Sequence, residues 1–263
     1  MRIHPKKPET YVVADFTQDV VENAGQDYQL SEGYRWIRPE WYFRLWSAVS
    51  FRLVRFFGGI YCRFAFHASI KNRAVLKPYR KTGFYLYGNH TQPFGDVVLP
   101  ALAVWPKRIY TIGSPANLGI PGLGKLLPAV GILPTPENFG QTKRFWAAVR
   151  QRAAEGCCVV TFPEAHVWPY YTEIRPFPEG SFRFPVEANL PAFCLTTTYQ
   201  SRGEGKKPKL TAYLDGPFFP DPEKCGKDAR RDLRDRVHAR MVSRSALSDT
   251  AYIRYEIRKE EQP

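Results

Sequence analysis

One histidine and one aspartate, His90 and Asp96, stand six positions apart in the stretch YGNHTQPFGDVVLP, Tyr87 to Pro100. Imidazole, with an ordinary pKa of about 6.5, takes a proton at neutral pH and gives it back. A carboxylate on its other ring nitrogen fixes the tautomer and stabilises the imidazolium. A lone histidine is more often structural than catalytic, so the spacing has to be weighed. Six steps of about 100° leave the two positions far apart around a helix, so a contact requires that the segment is not helical throughout. Pro93 and Gly95 favour a turn, and Gly95 tolerates positive φ. The competing reading makes Asp96 the cap of a helix beginning at Val97.

A second carboxylate, Glu164, follows a buried apolar run and a proline in VVTFPEAHVWP. At such a strand end it would face a cleft and orient a polar substrate; its plainer reading is an acid at a helix start. A third stretch, RPFPEGSFRFPVEANLPAF, adds Arg175 and Arg183. The five histidines have no metal-ligand spacing, so no metal is expected.

These residues need elements to hold them. A helix is expected from Pro39, a favourable first-turn residue, to a stop at Gly58–Gly59. Its apolar stripe is Tyr42, Trp46, Val49, Leu53 and Phe57, with Arg44, Ser47 and Arg55 opposite. Strand-like runs follow at Tyr61–Ile70, Phe84–Tyr87, Arg108–Ile112, Cys157–Phe162, Ala192–Thr198 and Leu210–Leu214. Helices are expected to begin at Val97 and to span Lys143–Ala154 and Lys227–Met241. The Gly/Pro-rich residues 113–136 read as a loop with short helical pieces. Strands alternating with helices predict an α/β fold, a mostly parallel central sheet flanked by helices, with sites at strand ends. His90 and Glu164 both sit at such ends.

At 263 residues and 44% hydrophobic, the chain can bury one sizeable core. A net charge of +13 points to an anionic partner. Five cysteines without a C-x-x-C pair read as reduced thiols. Residues 1–30 are polar and lack the apolar core of a signal peptide, and no segment has the roughly 20 apolar residues of a membrane span. Aromatics and arginines crowd residues 35–63 with only Glu40 opposing them, a composition suited to a helix lying among lipid headgroups. Its alternative is a packed helix with a solvated basic face. No nucleic-acid-binding motif is present, and nucleic acid is not expected as a partner.

Taken together, the blocks resemble the glycerolipid acyltransferases of the lysophosphatidic acid acyltransferase type, over roughly residues 61–215. Asn89–His90 and Asp96 resemble the family's N-H-x4-D block with one extra residue. Pro121, Gly124 and Gly131 resemble the approach to its second block, where Thr135 and Pro136 replace a phosphate-binding arginine. Phe162–Pro163–Glu164 resembles F-P-E-G-T-R, departing at Ala165, His166 and Val167. Phe177 and Gly180 match the family's F-x-x-G, and Leu190–Pro191–Ala192 matches the apolar-Pro-apolar turn of its fourth block. Bacterial acyltransferases carrying GNHTQ and FPEAH are more similar still.

The resemblance implies transfer of a fatty acyl group from acyl-CoA or acyl-ACP, without another cofactor, to a hydroxyl of a lysophospholipid-like acceptor, 1-acylglycerol-3-phosphate first among them. His90 would be the base and Asp96 its partner, with backbone amides after His90 holding the oxyanion. Asn89, Glu164, His166, Lys125, Arg175 and Arg183 are the expected substrate contacts. The changed arginines keep a non-phosphate acceptor open, and also a non-catalytic lipid-binding protein on the same fold. The expected organisation is a polar, loosely packed extension over residues 1–33, a membrane-associating segment over 34–60 and an acyltransferase domain over 61–263. The expected location is the cytoplasmic face of an anionic membrane, held peripherally.

Overall fold

The computed structural model describes residues 10–21 and 28–258. In chain order the elements are β1 (Thr10–Val13), α1 (Trp41–Ala65), β2 (Ser69–Lys71), β3 (Phe84–Gly88), α2 (Gly95–Ala103), β4 (Ile109–Gly113), α3 (Leu127–Val130), β5 (Ile132–Pro134), α4 (Phe139–Ala154), β6 (Cys158–Thr161), α5 (Arg183–Ala188), β7 (Ala192–Gln200), β8 (Lys209–Phe218), α6 (Gly226–Ser245) and β9 (Arg254–Ile257).

Seven strands form the central sheet in the order β2-β8-β7-β3-β6-β4-β5. Strands β7, β3, β6, β4 and β5 run parallel, and β8 returns antiparallel to β7. This is the mostly parallel sheet expected from the alternating pattern. Central β3 shows how one strand serves both faces, because successive side chains point to opposite sides. Tyr85 and Tyr87 join the apolar layer under α4 and α6, while Phe84 and Leu86 join the layer under α1 and α2. In α6, Leu233, Val237 and Met241 recur every four residues and are fully buried, each worth about 1.5–3 kcal/mol.

Four expectations are corrected. Helix α1 does not stop at Gly58–Gly59 but runs through both to Ala65. A Cβ on Gly58 would lie 2.7 Å from Val98, and one on Gly59 3.0 Å from Leu102. These glycines let α1 and α2 approach closely, and tertiary packing outweighs their low helix propensity, about 1 kcal/mol each. The strand expected over Tyr61–Ile70 is therefore the end of α1 followed by the short β2. Edge strand β5, inside the stretch read as loop, pairs parallel with β4. Finally, the described part of the N-terminal extension is not loosely packed: β1 pairs with β9, and Val13, Val21 and Leu30 are buried.

Candidate active site

Strand β3 ends in the sheet's middle and delivers Asn89 and His90 beyond its last rung. The Asn89 amide donates to Thr197 O at 3.0 Å and accepts from Thr197 N at 2.7 Å, which stitches the strand end to β7. The chain turns through Thr91–Phe94 into α2. There Asp96 Oδ2 meets His90 Nδ1 at 2.8 Å and accepts the Gln92 N–H at 2.9 Å. An ionised carboxylate can only accept, so Nδ1 carries the proton. Nε2 has no protein partner among the described residues, and His90 lines a cleft of about 800 Å³. The phenyl ring of Phe162 stacks on the imidazole at 4.6 Å between centroids and 22° between planes.

The extra residue between His90 and Asp96 is thus absorbed without losing the contact, though not by a bulge at Gly95. Gly95 is the first residue of α2 and has no positive φ. What it provides is space, since a Cβ there would lie 2.9 Å from Gln92 Cβ. Nor does Asp96 cap α2; its carboxylate reaches back to residues that precede the helix. The Gln92 amide, one of those expected to hold an oxyanion, is occupied by Asp96.

Glu164 lies under the histidine rather than in the cleft. Its Oε2 accepts the His90 N–H at 2.9 Å and Arg175 Nη2 at 3.1 Å, and its Oε1 accepts the Arg175 N–H at 3.0 Å. The pair is buried, with 1% exposure for the arginine side chain and 0% for the glutamate. Arg175 also donates to His166 O and lies 4.7 Å from the Trp168 ring. Asn89, Glu164 and Arg175, expected as substrate contacts, turn their polar groups onto one another and onto the backbone around His90. The sequence pattern placed Asn89 and Glu164 near strand ends but could not say which way their polar groups turn.

The remaining expected contacts diverge. His166 lines the cleft and faces Asp19 at 3.5 Å across the ring nitrogen and carboxylate. Arg183 lies outside the cleft lining, ion-paired with Glu187 and stacked 3.9 Å over Trp146, which does line it. Lys125 is exposed on the turn before α3, outside the cleft. The cleft has an apolar flank that includes Ile112, Phe145, Trp146 and Phe184, and a polar set that includes Ser114, Asn117, Thr135 and Ser181. Among the described residues, no lysine or arginine lines it. Thr135 stands on its wall where the resemblance places an arginine. Ser181 escaped sequence reasoning, since no spacing marks it. Its hydroxyl is buried without a partner among the described residues, while Tyr87 donates to its backbone carbonyl at 3.0 Å.

No family model matches the sequence, and no curated protein does. Among solved structures, the chain superposes on the 1-acyl-sn-glycerophosphate (LPA) acyltransferase PlsC from Thermotoga maritima with a TM-score of 0.51. The match covers 80% of this chain and 97% of that one at 13% identity. The chain has the fold of that acyltransferase. The α/β layering around a mostly parallel sheet is a fold shared over most of both chains. At this identity the likeness extends to the fold alone.

Proposed function

We propose that the protein is a lipid acyltransferase in which His90 acts as the general base on an acceptor hydroxyl. The observation that carries this reading is the His90–Asp96 pair, with Nδ1 held at 2.8 Å and Nε2 left for the cleft. The acceptor oxygen attacks the carbonyl carbon of an acyl thioester as Nε2 takes its proton. The C–O bond forms, the C–S bond breaks, and the imidazolium returns the proton to the departing thiolate. Asp96 keeps the reactive tautomer and offsets the imidazolium charge. The aromatic flank of Phe145, Trp146 and Phe184 suits the acyl chain.

The acceptor favoured by the cleft is an uncharged lipid hydroxyl. A phosphate monoester ordinarily calls for arginine or lysine, and the described lining supplies neither; its polar side chains are hydroxyls, the Asn117 amide, His90, His166 and Asp19. The donor is acyl-CoA or acyl-ACP.

Membrane attachment belongs to the same proposal. On α1 the expected apolar stripe faces outward: Tyr42 and Phe57 are each 62% exposed, with Trp46, Val49 and Leu53 exposed between them, and Trp41, Phe56 and Phe64 extend the exposed face. Arg52 and Arg63 lie along its edge, exposed. No helix among the described residues is long and apolar enough to cross a membrane. An apolar helical face flanked by arginines supports peripheral seating on an anionic bilayer.

The test is acyl transfer by purified protein on vesicles, from acyl-CoA or acyl-ACP, with monoacylglycerol and 1-acylglycerol-3-phosphate compared as acceptors. Transfer to monoacylglycerol that is lost in His90→Ala is the expected result. Preference for the phosphate acceptor overturns the acceptor assignment, and no transfer to either from either donor favours a lipid-binding protein instead.

A further inference from the structure

At the opposite, amino-terminal edge of the sheet lies a cavity of about 580 Å³ between the start of α1, the start of β4 and the end of α4. Its walls include Arg38, Arg44, Arg108 and Arg152, with Glu155 as the one carboxylate among the described residues. Glu155 Oε2 pairs with Arg152 at 2.8 Å, so Arg38, Arg44 and Arg108 have no ion pair among the described residues, although Glu40, paired with Arg35, lies close enough to interact with the charge of Arg38. We propose that this cavity is a binding site for a phosphate ester, separate from the catalytic cleft.

Arg108 is held as a fixed wall. Its Nη2 donates to Ser47 Oγ at 2.9 Å and to Ala129 O at 2.7 Å, and its guanidinium lies 4.2 Å from the Phe51 ring. Burial lowers its pKa, because desolvation disfavours the charged form. Arg152 lies 4.5 Å from the Tyr110 ring, and its Nε is buried with no partner among the described residues. Arg38 is half-buried and Arg44 exposed, so the remaining two form the mouth. The start of the 25-residue helix α1 borders the same space; its N-cap residue, Glu40, makes no capping hydrogen bond and is ion-paired with Arg35 at 2.7 Å, and such a terminus carries about half a positive charge.

Several guanidinium groups and a helix start fit the oxygens of a phosphate ester. Two sources offer that chemistry. One is the headgroup of an anionic phospholipid, because the exposed apolar face of α1 begins at Trp41 beside the mouth. The other is a soluble phosphate ester. The first source rests on the membrane reading; the site itself does not.

Two double variants with equal charge change separate the cavity from general surface charge. Arg38→Gln/Arg44→Gln removes the mouth, and Arg52→Gln/Arg63→Gln removes two exposed arginines of α1 outside it. Both are titrated with glycerol 3-phosphate and with monomeric dihexanoylphosphatidylglycerol, and tested on phosphatidylcholine vesicles with and without phosphatidylglycerol. The mouth variant is expected to lose phosphate-ester affinity on the order of tenfold or more, and the control variant to keep it. Binding of the lipid monomer alone assigns the headgroup source, and binding of both probes assigns phosphate esters in general. Equal losses in the two variants, or no binding of either probe by the parent protein, overturns the proposal. Binding of glycerol 3-phosphate without attachment to any vesicle removes the membrane reading and leaves the site standing.

Discussion

At the carboxyl ends of the strands the described cleft lining holds His90 and neither arginine nor lysine; at the amino ends a smaller cavity holds four arginines and one glutamate. The difference shows how one basic chain keeps two kinds of lining apart. A general base works best where no fixed cation opposes the imidazolium it becomes. The guanidinium of Arg175, which shares the Glu164 carboxylate with the His90 backbone amide, is paired with that carboxylate at 3.1 Å. The net charge of +13 therefore describes surfaces and the amino edge, not the place where a thioester would react.

The largest expected effect tests the carboxyl edge. His90→Ala should reduce acyl transfer by about 10²–10⁴-fold, the usual cost of a missing base, and Asp96→Asn should approach it by disturbing the tautomer. Phosphate-ester binding at the amino edge should be untouched in both. Steady-state kinetics beside a binding titration check this; comparable loss at both edges would dissolve the distinction.

Next comes the buried pair. Glu164→Ala strands the Arg175 charge and frees the His90 backbone amide, and it should cost about 3–5 kcal/mol in denaturant unfolding. A change below about 1 kcal/mol would mean that the pair does not anchor the site.

Thr135→Arg sharpens the comparison by placing a cation on the cleft wall. It should raise the preference for 1-acylglycerol-3-phosphate over monoacylglycerol by about tenfold, the worth of one charge-assisted hydrogen bond. An unchanged ratio in competition assays would show that cleft charge does not set the acceptor. Smallest is Ser181→Ala, which removes an unpartnered hydroxyl from the wall. KM for the acceptor should rise a few-fold, on the order of 1 kcal/mol, with kcat nearly constant. No change in KM would exclude a contact with the acceptor.

The sequence made the His90–Asp96 contact readable because it is local, confined to one turn. It also marked β3, β6, β7 and the apolar line of α6, where period and burial agree. The inward turn of Asn89 was not readable, since its partner Thr197 lies 108 residues on. Gly58 and Gly59 looked like a stop because the neighbour that needs their missing side chains, α2, is specified elsewhere. The stripe of α1 was ambiguous for a related reason. Its spacing is the same whether it faces a core or a bilayer, and only the packing of Phe51, Gly58 and Cys62 against the domain fixes which side turns outward.

The pairing of β1 with β9 joins Thr10 to Arg254, so nearly the whole described chain lies within one loop. Around that pair Trp168 stacks on Tyr255 at 4.9 Å and donates to Gln18 O at 2.9 Å, while Tyr255 donates to Pro169 O at 2.9 Å. These contacts brace the segment that follows Glu164. Closing so long a loop carries a large entropic cost and is slow. During synthesis the brace can form only after β9 has left the ribosome, so the central sheet is expected to assemble before the wall beside His90 is locked. In refolding, sheet circular dichroism should therefore recover ahead of Trp168 fluorescence and of acyl transfer.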